Sequence, residues 1–338
     1  MKKKSLCGLS VDDLFNLIGP SGFTRVQAVT VLNSIYKKSI TEISQIQKTS
    51  KILKNYLINN ADTGISRPIA SEVSIDKTVK YLFRTETGKV FETVYIPDNK
   101  RNTVCVSTQS GCRMNCSFCL TGSYGFHGNL LAGEIINQIL SIPESAKVTH
   151  VVFMGMGEPM DNIENVMKAC DILTAGWGLA ISPRNITVST VGITPGIKKF
   201  LVNSDCNLTL SLHSPFSAER KSIVPVEKNY PAHQIIEIMR NYPVRKKRRL
   251  SVAYVMIKDM NDTDLHLEGL KVLLEGSKIR VNLIPYHQNI IDTQASSTSE
   301  RILFFKHNLV VAGISASIRK TRGFDIAAAC GLLASGLK

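Results

Sequence analysis

Hydrophobic and polar positions along the chain follow two different rhythms, and the change between them falls near residue 100. Before it, apolar side chains recur every three or four positions in VDDLFNLI, VQAVTVLNSIY and ISQIQKTSKILKNYLI, which predicts amphipathic helices with a turn at GPSG, residues 19–22. Two strand-like runs follow, SEVSIDKTVKYLFRT and KVFETVYIP, and the TETGK between them predicts a β-hairpin. From residue 103 the pattern becomes β-branched, mostly apolar runs: TVCVST, THVVFMG, NITVSTVG, NLTLSLH, LSVAYVMI, IRVNLIPY and ISASIRK. Helical patterns separate them: LLAGEIINQIL, NIENVMKACDIL, TPGIKKFLV, AHQIIEIMRNY, DLHLEGLKVLL and SERILFFKHNLVVAG.

Strands buried on both faces and joined by helical crossovers form a parallel sheet, and six or seven such units form a complete or partial βα barrel. The expected organisation is a helical accessory domain at 1–65, a β-hairpin linker at 66–98 and an α/β barrel at 99–338. Active sites of such barrels gather at the C-terminal ends of the strands. The unusual residues fall there: Cys112 follows the first strand, Gly157 and Glu158 follow FMGM, and Ser189, His213 and His287 follow three later ones.

Composition narrows the partners. Lysine and arginine number 41 against 27 acidic residues, a net charge of +14 spread along the chain, which suits a polyanion such as nucleic acid. RKKRR at 245–249 and RKTR at 319–322 are the densest basic stretches; the first reads equally as a solvated turn. No apolar run is long enough to span a bilayer, and Asp12 and Asp13 interrupt any export signal, so a cytoplasmic location is expected.

Eight cysteines are too few for a disulfide framework in 338 residues, and three crowd together in SGCRMNCSFCLTG at Cys112, Cys116 and Cys119. Three thiolates suit a four-iron cluster with one iron left open. A zinc site is the alternative, with His127 or Cys105 as fourth ligand.

CRMNCSFC, with Phe118 before the last cysteine, resembles the signature of the radical S-adenosylmethionine (SAM) superfamily. Together with ETVYIP, CVSTQSGC, MGMGEP, STVGI, SLH, VNLIPY and RKTRGFDIAAACG, it makes the whole chain resemble the RlmN and Cfr family of radical SAM RNA methyltransferases. That resemblance implies a partial (β/α)6-type barrel behind a small N-terminal helical domain that contacts RNA. It implies a [4Fe–4S] cluster on Cys112, Cys116 and Cys119, and SAM, two per turnover, held by Gly157, Glu158, Ser189, Ser211, Leu212, His213 and the residue at His287. Cys330, in a C-terminal loop, is implied as methyl carrier, Cys105 as the thiol that resolves a protein–RNA adduct, and Glu92 as general base. The implied partners are 23S rRNA and tRNA, an electron donor such as flavodoxin or ferredoxin, and no second protomer. Arg319, Lys320 and Arg322, beside the carrier loop, are the expected RNA contacts.

GEP and RKTRG resemble the branch that methylates adenine C2; the alternative is Cfr-like C8 methylation, which confers antibiotic resistance. Two positions depart from the family pattern: His287 replaces an asparagine, and Phe324 replaces an acidic residue. A non-catalytic iron–sulfur RNA-binding redox sensor also accounts for the cluster and the charge, but leaves Glu92, Cys105 and Cys330 without a role. A radical SAM enzyme of small molecules or peptides is a further rival, against which the charge weighs.

Overall fold

The computed structural model describes residues 3–99, 101–243, 248–288 and 293–333. Seven strands, Thr103–Val106, His150–Phe153, Ile186–Thr190, Asn207–Ser211, Leu250–Met256, Arg280–Pro285 and Ala316–Ile318, pair in parallel and in sequence order. Sequential order with helical crossovers keeps one rotation sense, so the sheet curls into a partial α/β barrel. Among the crossovers are Ala132–Leu140, Ile163–Thr174, Thr194–Asn203, Ala232–Asn241, Asp264–Leu274 and Ser299–Val311, at all six helical patterns read from the sequence. A further short helix, Ser217–Ile223, was hidden between two of them.

The expected hairpin contains three strands, not two. Ala70–Val73, Val79–Arg84 and Val90–Ile96 run antiparallel, and the last pairs with the first barrel strand, placing Val94 opposite Cys105. The run SEVSIDKTVKYLFRT breaks because Ser74 accepts the Asp76 N–H through its hydroxyl (3.2 Å), while Asp76 accepts that of Thr78 (2.9 Å). All three strands extend the main sheet.

The N-terminal helices are Val11–Ile18, Arg25–Lys38 and Lys51–Asn60. Ser10 with Asp13, and Thr24 with Gln27, form reciprocal caps, so each of the first two helices starts where a short polar side chain satisfies orphan amides. Ser50 caps the third, which therefore starts later than the apolar pattern suggested. The hydrophobic core runs without a break from Leu14 and Leu32 to Ile135 and Ile136 of the first barrel helix. Close backbone approach makes this possible: a Cβ at Gly8 would lie 2.4 Å from the Gly133 nitrogen.

After its last strand the chain returns across the open side of the barrel as a strap, residues 319–333. Asp325 accepts hydrogen bonds from the Ser74 hydroxyl (2.6 Å) and the Ile75 N–H (3.0 Å) of the hairpin turn, and Asp76 accepts the Gly323 N–H (3.1 Å). At its far end, Leu120 donates its N–H to the Gly331 carbonyl (2.7 Å) and Thr121 its hydroxyl to Leu333 (3.2 Å). No helix among the described residues is long and apolar enough to cross a membrane.

Candidate functional site

The cysteine loop leaves the barrel through a two-stranded ribbon, Gln109–Gly111 with Phe126–Asn129. Gly111 (φ 72°) turns the chain where a Cβ would collide with the Gly125 carbonyl, and Cys112 donates its N–H to that same carbonyl (2.9 Å). Cys112, Cys116 and Cys119 then line one cavity at the C-terminal mouth of the barrel. Glu158, Ser189, Ser211, His213, His287 and Cys330 also line it.

Burial pushes the Cys112 thiol up to about 12 and the Cys116 and Cys119 thiols upward as well. Cys112 and Cys119 add to the shift of Cys116 as neighbouring negative charges, so the three sulfurs share one electrostatic environment. Among the described residues no group of three or more His, Cys, Asp or Glu stands as a single-ion site, and His127, the alternative fourth ligand for zinc, has its Nε2 3.0 Å from the Tyr124 carbonyl oxygen.

Gly157 and Glu158 follow the second barrel strand. Gly157 has φ 93°, and a Cβ there would fall 2.4 Å from Gln109 Cβ, so only glycine lets the turn pass. Glu158 is 3% exposed and accepts hydrogen bonds from the Met160 N–H (2.9 Å), the Thr190 hydroxyl (2.5 Å) and the Val191 N–H (2.9 Å). Burial outweighs these donors and pushes its carboxyl up to about 7.

His213 adopts a left-handed backbone (φ 61°), unusual outside glycine, directly after the fourth barrel strand. Its Nδ1 accepts the Val255 N–H (3.0 Å), which leaves the proton on Nε2, and that buried atom has no protein partner. Burial, with Arg220 nearby, lowers this imidazole to about 3, so it stays neutral. A buried donor without an acceptor, on the wall of a cavity carrying three thiols, fits a polar ligand beside an iron–sulfur cluster. Phe118 packs edge-on against the same ring, centroids 4.5 Å apart.

Arg220 was not singled out from the sequence. Carried on helix Ser217–Ile223 and fully buried, it donates to the carbonyls of Leu212 (3.0 Å), Val191 (2.6 Å) and Ser211 (2.8 Å), and pairs with buried Glu227. One guanidinium thus ties together the ends of the strands that carry Ser189 and Ser211.

The remaining candidates lie deeper. Cys330 lines the cavity while Cys105, on the first barrel strand, stands close enough that Cys330 contributes to its raised value of about 12, after burial and against the opposing Arg319 charge. Glu92 is 1% exposed, with Lys80 Nζ 3.6 Å away, and does not line the cavity. It lies two residues before Val94, the partner of Cys105, and so shares its strand face. His287 is 2.9 Å from the Thr321 hydroxyl and packs against Phe324, so both departures from the family pattern meet on the strap. Arg319 lines the cavity, Lys320 is exposed and Arg322 lies 3.8 Å from Asp76. Of RKKRR, residues 245–247 lie outside the described residues; Arg248 is buried and donates to the Leu201 carbonyl (3.0 Å), which makes it structural.

Comparison with known proteins agrees with this geometry. The profile of the Radical SAM superfamily matches residues 106–267. A probable dual-specificity RNA methyltransferase RlmN from Parabacteroides distasonis is 42% identical, over 98% of this chain and 97% of its own. A dual-specificity RNA methyltransferase RlmN from Syntrophotalea carbinolica is 38% identical, over 97% of this chain and 89% of its own. The crystal structure of a radical SAM methyltransferase from Sphaerobacter thermophilus superposes with a TM-score of 0.91 at 35% identity, covering 98% of this chain and 99% of that one.

Arg220→Met strands the Glu227 carboxylate in the core and is expected to cost about 3–5 kcal/mol in urea unfolding, with the Arg220→Met/Glu227→Met pair recovering part of it. A loss below about 1 kcal/mol for the single variant contradicts the tie described here.

Proposed function

The chain belongs to the RlmN family of radical SAM RNA methyltransferases, and from that premise we propose that it methylates C2 of an adenosine in the peptidyl-transferase region of 23S rRNA and of the adenosine 3′ of the anticodon in some tRNAs. The observation that carries the reading is that Cys330 shares one cavity with the three loop cysteines while standing within electrostatic reach of Cys105. The description of the relatives as dual-specificity enzymes supports two kinds of RNA substrate.

In this reading Cys112, Cys116 and Cys119 hold a [4Fe–4S] cluster, and Gly157, Glu158, Ser189, Ser211, Leu212, His213 and His287 enclose SAM. When bound, these groups supply an electron, a methyl group and a hydrogen-abstracting radical, with two SAM consumed per turnover. The protein's own residues do the rest. Thiols raised this far must lose protons on loading, so cluster assembly is favoured by rising pH. Glu158 faces the ligand's ammonium, and the His213 Nε2–H gains an acceptor.

Cys330 carries the methyl group, because an adenine C2 carbon is too poor a nucleophile to take it from a sulfonium directly. Methylation turns Cys330 into a neutral thioether, and Arg319 favours the Cys105 thiolate. Once the carbon held on Cys330 has bonded to C2 and the adduct has given up one electron and its C2 proton, the Cys105 thiolate attacks the Cys330 sulfur. The S–C bond breaks as the S–S bond forms, the freed carbon takes a proton to become the methyl group, and a thiol reductant reopens the disulfide. Glu92, on the same interior strand face, accepts the proton from the modified carbon, and Arg319, Lys320 and Arg322 contact RNA phosphates. The N-terminal helical domain at 1–65 adds a second RNA contact, 66–98 links it to the barrel, and 99–338 carries the chemistry. The protein acts as a cytoplasmic monomer supplied by a flavodoxin- or ferredoxin-type donor.

Nuclease digestion and mass spectrometry of ribosomal and transfer RNA treated with the reconstituted enzyme is expected to give 2-methyladenosine. Finding 8-methyladenosine transfers the assignment to the Cfr-like reading. Because Glu158 must shed its proton to meet an ammonium, SAM affinity measured by anaerobic calorimetry is expected to fall about tenfold per unit as pH drops below about 7. Glu158→Gln should flatten that slope; an unchanged slope argues against the contact.

A further inference from the structure

A second hollow, of about 560 Å³, occupies the opposite, N-terminal half of the barrel. Its wall is partly polar where barrel interiors are usually apolar: Thr103, Thr187, Thr209, Ser251, Asn282 and Ser317 line it from six of the seven barrel strands, and the second strand contributes Val152. Its cations are Arg101, Arg249, Arg280, Arg319, Lys320 and Arg322, against the acid Asp98. Three of them sit where strands begin: Arg101 two residues before Thr103, Arg249 one before Leu250, and Arg280 as the first residue of its strand. They crown the mouth facing away from the cysteine loop.

These charges are little neutralised. Among the described residues Arg322 pairs with Asp76 (3.8 Å), and no comparable ion pair engages the other five. Arg101 is held below its ordinary value by burial and then by the Arg319 and Arg249 charges, and His150 is lowered by burial and then by Arg101 and Arg249. Six cations against the single acid Asp98 around one hollow, with Arg101, Arg249 and Arg319 repelling one another, are arranged for an added anion.

The two cavities share a wall. Cys330, His287, Arg319, Met154 and Asn282 line both. The C-terminal mouth carries the three loop cysteines and Glu158, and the second cavity gives Cys330 an approach from the other side. We propose that the N-terminal mouth of the barrel is the RNA entrance, with Arg101, Arg249 and Arg280 binding phosphodiesters that flank the target base while the base itself passes along the polar hollow to Cys330. The inference rests on the RNA-methyltransferase reading and adds to it a route and three residues on the face away from SAM. All three arginines are exposed, so substitution leaves the core intact.

The test measures binding of a labelled adenosine-containing RNA hairpin from the peptidyl-transferase region across a salt series, with methylation followed in parallel, for the wild-type protein and for Arg101→Gln/Arg249→Gln/Arg280→Gln. Each lost phosphate contact lowers the slope of log affinity against log salt by about 0.7 to 0.9, so the triple variant should lose about 2 to 3 in slope. Arg280→Gln alone should lose about 1, and Lys198→Gln, on an outer helix, nothing. A triple variant that keeps the wild-type slope and methylates normally overturns the entrance while leaving the functional reading standing. A wild-type protein that neither binds nor methylates the hairpin overturns both. Full competition of the hairpin by inorganic phosphate at matched ionic strength also overturns the entrance, because it marks a site for a small anion.

Discussion

An open barrel has one side that its own strands cannot close, and what closes it here is a short strap without regular secondary structure. Residues 319–333 leave the last parallel strand, dock on the hairpin turn through Asp325 and Asp76, and end against the cysteine loop through Gly331 and Leu333. Chain ends are ordinarily the least ordered part of a domain unless tied down. These ties bring the Cys330 thiol to the wall between two cavities. Displacing either anchor moves the sulfur away from Cys105, from the three loop cysteines, or from both.

Around that wall the two mouths of the barrel differ in chemistry. Parallel strands gather their C-terminal ends at one mouth, where glycine turns, a left-handed histidine and the buried Arg220–Glu227 pair shape the cavity that holds the loop cysteines. Their N-terminal ends gather at the other, where the side chains are polar and cationic. A buried ion pair is a poor source of net stability, but one whose arginine also caps three carbonyls fixes the loops that carry it. Its place beside Ser211 and His213 accounts for burying such a residue.

The parts of this arrangement that could be read from the sequence are those with local signatures. Seven β-branched runs separated by helical periods announce a parallel sheet, and three closely spaced cysteines announce a metal loop, because each pattern is written in neighbouring residues. Glu92, Cys105 and Cys330 were found through family resemblance; alone they read as a strand residue and two buried thiols. Arg220 left no such mark, since one arginine in SAERKSI looks like a surface charge until the fold buries it. The basic mouth was equally hidden: Arg101, Arg249 and Arg280 are scattered over the chain and meet only when the strands assemble. RKKRR read equally as turn or contact because its two described residues differ in kind: Arg248 is structural and Arg249 faces the hollow. The third hairpin strand was missed because the Ser74–Thr78 turn is made by side-chain hydrogen bonds inside what looks like one alternating run.

In the proposed function the methyl group is carried on Cys330, at the wall between the two cavities. Peptide mass spectrometry of the cluster-loaded protein, incubated anaerobically with SAM and reductant before any RNA is added, is expected to show one added methyl group on the Cys330 peptide, absent from Cys330→Ala and transferred to RNA on chase. An unmodified Cys330 in a protein that still methylates RNA would contradict that role.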